Sequence, residues 1–412
     1  MAGKVFFHVD VNSAFLSWEA VYRMRELGET EDLRTIPSAV GGDVSKRHGI
    51  ILAKSIPAKK FHIHTAEPVI QAVRKCPALK LVPPNYEVYK QFSDAFFEIL
   101  NKYSPDVEKY SIDEAFLDMT GMENLYGSPL ESAVRLKDEI FDTLGFTVNI
   151  GISENKLLAK MASDFEKPNR VHTLFPNEIA EKMWPLPVGD LFLVGKSSVK
   201  KLQNIGIHTI GDLAHANLEI LTSVLKKHGK TIWNFANGRD MGMMDDSTPE
   251  SRSYSNETTV SFDVTDAETA KMVLLSLAEN VGWRLRQDNA RAELVSVMLR
   301  YSDLRRTSHQ RVLPQPTNIT TEIYKEACRL FDDSWNGEEL RQLGLQAGRV
   351  MEQESVRQIS LFDTTDYEKL EKMDKAVDVI REKFGSNAVM RASFLSSDKI
   401  PPITGRRKSR EK

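Results

Sequence analysis

Three acidic residues lie in apolar stretches that the sequence predicts to be β-strands. Asp10 lies within residues 5–11 (VFFHVDV), and Asp113 and Glu114 are adjacent within residues 111–118 (SIDEAFLD). A lone charge on an apolar strand is costly unless it is paired or binds a metal ion. With no histidine or cysteine partner expected beside them, three converging carboxylates form a hard-oxygen site, which prefers Mg²⁺ or Mn²⁺.

Such a site favours phosphoryl-transfer chemistry. Two divalent ions about 3.5–4 Å apart stabilise both the attacking and the leaving oxygen of that reaction. The alternative is structural, because Asp113 and Glu114 can equally be turn residues that form a salt bridge. Residue types and spacing alone leave both interpretations open.

The elements predicted around these acids form an α/β sheet. They are a strand (5–11), a helix (13–27), a hairpin of two strands (107–118), a helix (130–144) and a strand (147–151). This order indicates a sheet covered by helices on one face. Because neighbouring residues on a strand point to opposite faces, Asp113 and Glu114 suit the tip of the hairpin or a sheet edge. Short helices follow at 171–240, and residues 251–351 read as a separate small α+β domain.

Length and composition limit the number of domains, the charge of the surface and the compartment that we expect. The chain has 412 residues, of which 41% are hydrophobic and 27% charged, with a formal net charge of −3. Single cores stop growing beyond about 250–300 residues, so we expect more than one domain. Any basic surface for nucleic acid must be local. Two cysteines fit a reducing cytosol, and no run reaches the roughly 18 apolar residues of a membrane span. We expect a cytoplasmic protein with no membrane partner.

Three blocks of sequence strongly resemble the palm motifs of the Y-family (translesion) DNA polymerases. They are residues 8–15 (HVDVNSAF), 111–118 (SIDEAFLD) and 151–169 (GISENKLLAKMASDFEKPN). A fourth block, residues 195–214, resembles the helix-hairpin-helix of the family's thumb. The resemblance covers residues 4–362 and is nearest to the bacterial DNA polymerase IV and UmuC-type branch of the family.

This resemblance implies a multidomain α/β fold of the right-hand type, with an α+β palm, small fingers, a helical helix-hairpin-helix thumb and an α+β little finger. The implied domains are the palm (1–18 and 78–170), the fingers (19–77), the thumb (171–240), a linker (241–250), the little finger (251–352) and a tail (353–412).

The resemblance also assigns roles at the catalytic site. Asp10, Asp113 and Glu114 would be catalytic and would hold two Mg²⁺ ions, for which Mn²⁺ can substitute, with the backbone carbonyl of Val11 as a further ligand. Phe15, five residues after Asp10, would be the steric gate that excludes a ribose 2′-hydroxyl. The alternative for Phe15 is a core aromatic residue on the first helix.

Three residues are predicted to bind the incoming nucleotide. Lys167, in Glu-Lys-Pro-Asn, resembles the family lysine that contacts the triphosphate, and a lysine serves there as a point charge. The fingers depart from the polymerase IV pattern of a tyrosine followed three residues later by an arginine. Lys59 takes the place of the arginine, Ile56 occupies the tyrosine position, and Ser55 is the candidate source of the missing hydroxyl.

DNA-binding residues are predicted in the thumb and the little finger. In the thumb they are Gly195, Lys196 and Gly206, because backbone N–H groups at such turns and helix N-termini bind phosphate. In the little finger they are Arg284, Arg300, Arg305 and Arg306. Between Trp283 and Arg311, seven arginines face three acidic residues, a local charge of +4 (7 − 3). The alternative is an ordinary solvated face.

One short motif predicts a protein partner. Gln358, Leu361 and Phe362 lie in QISLF, an apolar pentapeptide in a polar stretch, which is similar to the sliding-clamp-binding peptide of bacterial polymerases. The alternative is that Leu361 and Phe362 pack on the enzyme itself.

The predicted function is template-directed primer extension with dNTPs on primer-template DNA, in translesion synthesis and without proofreading. Two other classes stay open. One is a different metal-dependent phosphoryl-transfer enzyme, such as a nuclease or a cyclase. The other is a catalytically silent DNA- and clamp-binding protein.

Overall fold

The computed structural model describes residues 3–42, 49–240, 253–352, 365–396 and 400–403. The chain divides into two compact units, one that runs to Ser247 and one that begins at Thr248. The predicted linker (241–250) and the QISLF motif (358–362) lie outside the described residues. None of the helices in the described ranges is long and apolar enough to cross a membrane.

The first unit begins with an alternating α/β segment. In chain order its elements are β1 (Phe6–Val11), α1 (Ala14–Glu26), β2 (Ser38–Gly41), β3 (Ile51–Lys54), α2 (Ile56–Lys59), α3 (Val69–Lys75), β4 (Lys80–Val82), α4 (Tyr86–Tyr103), β5 (Val107–Lys109), β6 (Glu114–Asp118), α5 (Glu123–Tyr126), α6 (Pro129–Leu144), β7 (Val148–Ser153), α7 (Lys156–Ser163) and β8 (Val171–Thr173).

The main sheet has the strand order β5-β6-β1-β7-β8, with β7 and β8 parallel and the other pairs antiparallel. Apolar residues alternate along β1, and Phe7 and Val9 lie in a core that α1, α4 and α6 complete. This core face follows from the period of two along a strand and the apolar stripes of the helices. His8 and Asp10 therefore belong to the opposite face.

That opposite face is partly covered by α7, which corrects the prediction of helices on one face only. A Cβ atom at Gly151 of β7 would lie 1.9 Å from the backbone oxygen of Ala159 and 2.5 Å from the nitrogen of Ser163. Only glycine therefore lets α7 approach β7 this closely. The close approach brings the polar side chains of α7 beside those of β1.

A small three-stranded sheet with the order β3-β2-β4 combines two strands of the segment predicted as fingers with β4, which lies in the segment predicted as palm. Its own core includes Ala39, Ile51 and Ile63. Pro57 lies at the start of α2, where the missing N–H and fixed φ of proline are tolerated. The side chain of Ser55 caps this helix by accepting a hydrogen bond from the N–H of Ala58.

The predicted thumb segment begins with β8, and its other elements in the described ranges are helices or helical turns. They are the 3₁₀ turns Pro176–Glu178 and Val188–Asp190, the π-helical turn Ile179–Met183, and α8 (Lys196–Gln203), α9 (Ile210–His215), α10 (Leu218–Leu225) and α11 (Lys227–Ala236). They share an apolar core with Leu157 and Met161 of α7. Gly206, at φ +81°, makes the turn between α8 and α9. A residue with a side chain would be strained at that angle.

The second unit is an α+β fold, the class that the sequence predicted for residues 251–351. Its elements are β9 (Ser253–Val264), α12 (Ala267–Gln287), β10 (Ala290–Tyr301), β11 (Arg306–Thr317), α13 (Thr320–Ser334), β12 (Leu340–Glu352), α14 (Tyr367–Phe384) and a 3₁₀ turn, Ala392–Ser396. The antiparallel sheet has the order β11-β10-β12-β9, and α12 and α13 pack on one of its faces. Val295 and Val297 point to these helices, so Ser296 and Arg300 point to the other face.

The predicted tail contains a folded part. Arg286 of α12 forms ion pairs with Asp374 and Asp378 of α14, and all three side chains are buried. Beyond α14, the side chains of Phe394 and Ile400 lie in the core of the second unit. Residues 365–396 and 400–403 are therefore packed on the little-finger unit.

Candidate active site

Strand pairing brings the three predicted catalytic acids to one end of the main sheet. Asp10 and Glu114 are directly opposite each other on β1 and β6. Asp113 immediately precedes β6, and its carbonyl oxygen accepts a hydrogen bond from the N–H of Val11 at 3.0 Å. Asp10, Val11 and Asp113 line one open cavity of about 310 Å³, together with Phe15 and Lys59. We call it the catalytic cavity.

Asp10 is paired with Lys167. Burial raises the pKa of Asp10 to about 6, although the charge and hydrogen bond of Lys167 oppose that shift. Lys167 also contacts Asp164 at 2.8 Å, and these two carboxylates raise the pKa of Lys167 against the effect of burial. The amide oxygen of Asn12 accepts the N–H of Asn169 at 2.9 Å, which ties the Lys-Pro-Asn segment to the end of β1.

Glu114 has two partners that the sequence did not predict. Its Oε2 lies 2.5 Å from Nζ of Lys160 and 3.2 Å from Nε2 of His8. Burial alone raises the pKa of Glu114, but the hydrogen bond and charge of Lys160 oppose burial and hold the pKa below its usual range. The expectation of three acids without a histidine partner was therefore wrong. His8 precedes Asp10 by two residues on one strand, which puts both side chains on one face.

A buried hydrogen-bond chain fixes the ring of His8. The Ser163 hydroxyl donates to the backbone oxygen of Lys160 at 2.8 Å, so its lone pair accepts the Nδ1–H of His8 at 2.7 Å. Burial lowers the pKa of His8 to about 4, which leaves the ring neutral at pH 7 with Nε2 as an acceptor. The Lys160 ammonium, 3.4 Å from Nε2, therefore donates to both His8 and Glu114.

The donor set fits a hard divalent cation by ligand type, and two of its carboxylates, Asp10 and Asp113, line one cavity. Burial raises the pKa of Asp113, whose Oδ1 accepts a hydrogen bond from the Ser111 hydroxyl at 2.6 Å. Across the described ranges, no three acidic, histidine or cysteine side chains converge as a complete ion cage. Mg²⁺ is commonly held by one or two carboxylates plus substrate phosphates, so carboxylates that line a substrate-sized cavity suit it.

Phe15 packs against other aromatic residues and also lines the catalytic cavity. Its ring stacks on Tyr89 with a centroid distance of 4.8 Å and meets the edge of Tyr86 at 6.0 Å. The Tyr89 hydroxyl donates to Glu19 at 2.9 Å, which fixes this aromatic support. Phe15 is nevertheless only half-buried and lines the catalytic cavity. It is thus a supported ring with an accessible part beside Asp10 and Asp113.

A second cavity of about 430 Å³ shares Asp10 and Lys59 with the first and adds Lys167 and Arg34. We call it the basic cavity. Ser13, which lines both cavities, has φ 51° and turns the chain from β1 into α1. Helix N-termini leave backbone N–H groups without intrahelical partners, and they favour anions. Cations and a helix start therefore surround one substrate-sized space.

Ser55 and Ile56 also line the basic cavity. The Ser55 hydroxyl donates to the backbone oxygen of Ile36 at 2.7 Å and accepts the N–H groups of Ser38 and Ala58, each at 3.1 Å. The single hydroxyl proton of Ser55 is therefore already donated to the protein backbone. Ile56 is exposed and supplies an apolar side chain at the predicted tyrosine position.

Lys54 is a further basic residue that the sequence did not single out. It lines the catalytic cavity with Lys59 and donates to the Thr65 hydroxyl at 3.2 Å. Burial first and the charge of Lys59 second lower the pKa of Lys54. Two ammonium groups close enough to repel each other at a cavity wall favour an anionic ligand between them.

In the thumb segment, Gly195 and Lys196 stand at the start of α8, and Gly206 follows its end. The first-turn N–H groups of α8 are the ones that the sequence predicted to bind phosphate. Lys196 is exposed.

The little-finger arginines are less free than their count in the sequence implied. Five of the seven pair with acids outside the counted segment. Three of these are Arg286 with Asp374 and Asp378, Arg291 with Glu371, and Arg311 with Glu326 and Asp333. The local charge of +4 is correspondingly reduced. Arg305 pairs with Asp303 and Glu338, and Arg306 with Glu257, but both arginines remain exposed.

The other two predicted arginines have neutral partners. Arg284 lies over the ring of Tyr254 and donates to the backbone oxygen of Ser255, and Arg300 contacts Gln342 at 3.3 Å. Arg300 is also directly opposite Arg306 on the neighbouring strand. Like charges at such positions are destabilising unless an anion lies nearby. This pair belongs to the sheet face that α12 and α13 leave uncovered.

Comparison with known proteins identifies the family. The impB/mucB/samB family model matches residues 9–164, its C-terminal domain model matches residues 251–361, and the thumb-domain model of DNA polymerase-iota matches residues 189–240. DNA polymerase IV of Clostridium acetobutylicum is 45% identical over 399 residues, which are 96% of this chain and 99% of that protein. DNA polymerase IV 1 of Bacillus subtilis is 36% identical over 403 residues, 97% of this chain and 95% of that protein.

The chain belongs to the Y family of DNA polymerases. A solved Y-family DNA polymerase chimera has the same fold, with a TM-score of 0.69 and 21% identity over 84% of this chain and 99% of the chimera. The predicted family, the right-hand fold class and the enzyme class of DNA-directed DNA polymerase are thereby confirmed.

Proposed function

We propose that this Y-family polymerase extends DNA primers with dNTPs in translesion synthesis, by two-metal nucleotidyl transfer and without proofreading. The observation that carries the proposal is the catalytic cavity. Asp10, the backbone of Val11, Asp113 and the ring of Phe15 line one space, and Lys59 connects it to the basic cavity.

Each catalytic acid has a task that its surroundings support. Asp10 and Asp113, with the carbonyl of Val11, would hold two Mg²⁺ ions, and Glu114 would complete the set from β6. The ions supply charge stabilisation for the primer 3′-oxygen and for the leaving pyrophosphate. The protein contributes position, because β-sheet pairing fixes Asp10 opposite Glu114 and the Val11 N–H fixes the backbone of Asp113.

The nucleotide would bind across the two cavities. Its sugar lies against Phe15, whose stacked support on Tyr89 prevents the ring from giving way to a 2′-hydroxyl. Its phosphates lie toward Lys59 and Lys167, with Lys54 as an additional cation. Ser55 keeps the shape of the fingers through its three backbone contacts, so we assign it no hydrogen bond to the triphosphate.

DNA would be held through its phosphates. The start of α8 at Gly195 and Lys196, and the turn at Gly206, suit backbone-mediated contact without base reading. On the little finger, Arg300 and Arg306 form the centre of the proposed contact, supported by Arg284 and Arg305. The salt-bridge partners of Arg305 and Arg306 are exposed acids, which phosphates can replace at small cost.

Two further elements of the proposal rest on the sequence. Gln358, Leu361 and Phe362 would bind the bacterial sliding clamp. Burying the two apolar side chains contributes about 1.5–3 kcal/mol each before ordering costs, and tethering on DNA makes such weak binding sufficient. The absence of proofreading is likewise a proposal from the sequence, in which no block outside the three matched segments suggests a proofreading nuclease. We place this activity in the cytoplasm.

Primer extension on undamaged and lesion-bearing templates tests the proposal. The wild-type protein is expected to incorporate dNTPs with Mg²⁺ on both templates and to leave a mismatched primer end uncut. Asp113→Asn and Glu114→Gln are expected to lose extension while they keep DNA affinity and fold. Wild-type DNA binding without incorporation would support the silent DNA-binding alternative, and near-normal extension by either variant would exclude the metal-ligand assignment.

A further inference from the structure

Two of the three proposed catalytic carboxylates each form an ion pair with a lysine. The two lysines differ in how far the protein encloses them. Lys160 is fixed: its side chain is 10% exposed, and its ammonium lies over the rings of Tyr110 at 4.8 Å and Phe192 at 5.5 Å. It donates to Glu114 and to Nε2 of His8. A lysine enclosed in this way stays in place.

Lys167 has the opposite character. Its side chain is 32% exposed and lines the basic cavity beside Asp10. A second partner, Asp164, holds the same ammonium from a solvent-exposed position. Four rotatable carbons let a lysine head move between partners while its backbone stays fixed. The Lys167 ammonium can therefore leave Asp10 and remain inside the basic cavity.

The position of Lys167 on Asp10 conflicts with the binding of a divalent cation there. Lys167 contacts Oδ2 of Asp10, and burial makes every charge at Asp10 costly to leave unpaired. A divalent ion that arrives alone must displace Lys167 and leave that ammonium without a phosphate partner. A triphosphate that arrives alone must share Lys167 with Asp10. The two together satisfy every charge.

We propose that Lys167 is an exchangeable counter-cation of Asp10, which a divalent ion replaces there when the nucleotide binds. Before either ligand binds, Lys167 neutralises Asp10. When the nucleotide and its ion bind, Asp10 exchanges Lys167 for the divalent cation, and the ammonium moves to the triphosphate. This inference rests on the proposed nucleotide site. It couples the two ligands, and by linkage each raises the affinity of the other equally.

Binding of Mn²⁺, followed by the electron paramagnetic resonance of the free ion, tests the exchange independently of catalysis. The relevant site is the one that disappears in Asp10→Asn. Without nucleotide, Lys167→Met is expected to bind Mn²⁺ at this site more tightly than the wild-type protein, by about fivefold or more, because its competitor is gone. With a non-hydrolysable dNTP, the wild-type affinity for Mn²⁺ rises strongly and that of Lys167→Met rises less.

Two variants control this experiment. Lys156→Met removes a lysine of α7 that pairs with Glu108, outside both cavities, and is expected to leave Mn²⁺ binding unchanged. Lys167→Arg keeps a competing charge and is expected to bind nucleotide-free Mn²⁺ no more tightly than the wild-type protein, which provides a test even if Lys167→Met unfolds.

Equal or weaker nucleotide-free Mn²⁺ binding by a folded Lys167→Met would overturn the exchange, and so would tighter binding by Lys167→Arg. Wild-type primer extension separates this outcome from failure of the proposed function. A protein that extends primers but shows no such gain in Lys167→Met contradicts only the exchange. One that shows the gain but extends no primer contradicts only the polymerase assignment.

Discussion

Replacing Lys160 with methionine removes the ammonium beside Glu114 and keeps most of the volume of the side chain. The Glu114 carboxylate then faces Nε2 of His8 at 3.2 Å. In the neutral ring Nε2 is a hydrogen-bond acceptor, so neither atom can donate to the other. Both the carboxylate and the histidine lose their donor. We therefore expect Lys160→Met to lower the free energy of unfolding and to let Glu114 turn away from the position that β6 gives it.

The magnitude follows from burial. Removing one partner of a buried ion pair costs about 3–5 kcal/mol. The Glu114 side chain is 23% exposed, which allows some rehydration, so the expected cost lies near the lower limit, about 3 kcal/mol. In a domain of roughly 150–250 residues each kcal/mol shifts the Tm by about 2–4 °C, which gives a fall of about 6–12 °C.

Thermal unfolding with and without Mg²⁺ provides the assay. The matched control is Lys156→Met, also on α7, whose pair with Glu108 has more exposed side chains, 18% and 28%, so that its loss is expected to cost less than the loss of Lys160. Adding Mg²⁺ is expected to reduce the loss in Lys160→Met, because a cation then faces the carboxylates. The double variant Lys160→Met, Glu114→Gln should recover part of the stability. A Tm for Lys160→Met equal to that of Lys156→Met would refute the reasoning.

Phe15→Ala is expected to raise the use of ribonucleotides relative to deoxyribonucleotides in primer extension, because the ring no longer fills the space of a 2′-hydroxyl; unchanged sugar discrimination would leave the ring a packing role. Neutralising Arg305 and Arg306 is expected to weaken DNA binding on all sequences alike and to make the log–log salt dependence shallower, by about 0.9 for each duplex phosphate that the protein no longer neutralises; weakening limited to particular sequences would indicate that these arginines read bases. Changing Leu361 and Phe362 to alanine is expected to abolish stimulation by a loaded clamp while basal synthesis persists; an equal decrease in both assays would assign the pair to the fold.

The sequence was informative where local pattern decides structure. The apolar run around Asp10 predicted β1, and the alternation at 107–118 predicted the hairpin that carries Asp113 and Glu114. It was uninformative about α7, because helix periodicity does not say which face of a sheet a helix covers. That choice depends on Gly151, where the missing side chain permits the close approach of α7. Lys160, the partner of Glu114 on α7, was missed for the same reason.

Charge counting failed for a related cause. A window along the chain counts only neighbours in sequence, whereas Arg286 pairs with acids more than 80 residues later. Those acids belong to α14, which the sequence interpretation left in a tail. The pair Arg300 and Arg306, by contrast, is adjacent only through strand register, and no linear count distinguishes it from the rest. Folding therefore neutralises some of the arginines that the sequence predicted to bind DNA, and it brings two of the others next to each other.

The lysines beside the catalytic acids also bear on how this polymerase exists between reactions. Carboxylates buried near one another repel, and a site that relied on metal alone to neutralise them would destabilise the fold on chelation. Here Lys160 pairs with Glu114, and in the exchange that we propose Lys167 pairs with Asp10 until the nucleotide binds. The fold therefore carries its own cations. The consequence is weaker binding of free metal ions, because each ion competes with an ammonium group. That weakness suits Mg²⁺, which is reluctant to dehydrate and is commonly bound through substrate phosphates. Stability without metal and delivery of metal with the nucleotide thus follow from one arrangement of charges.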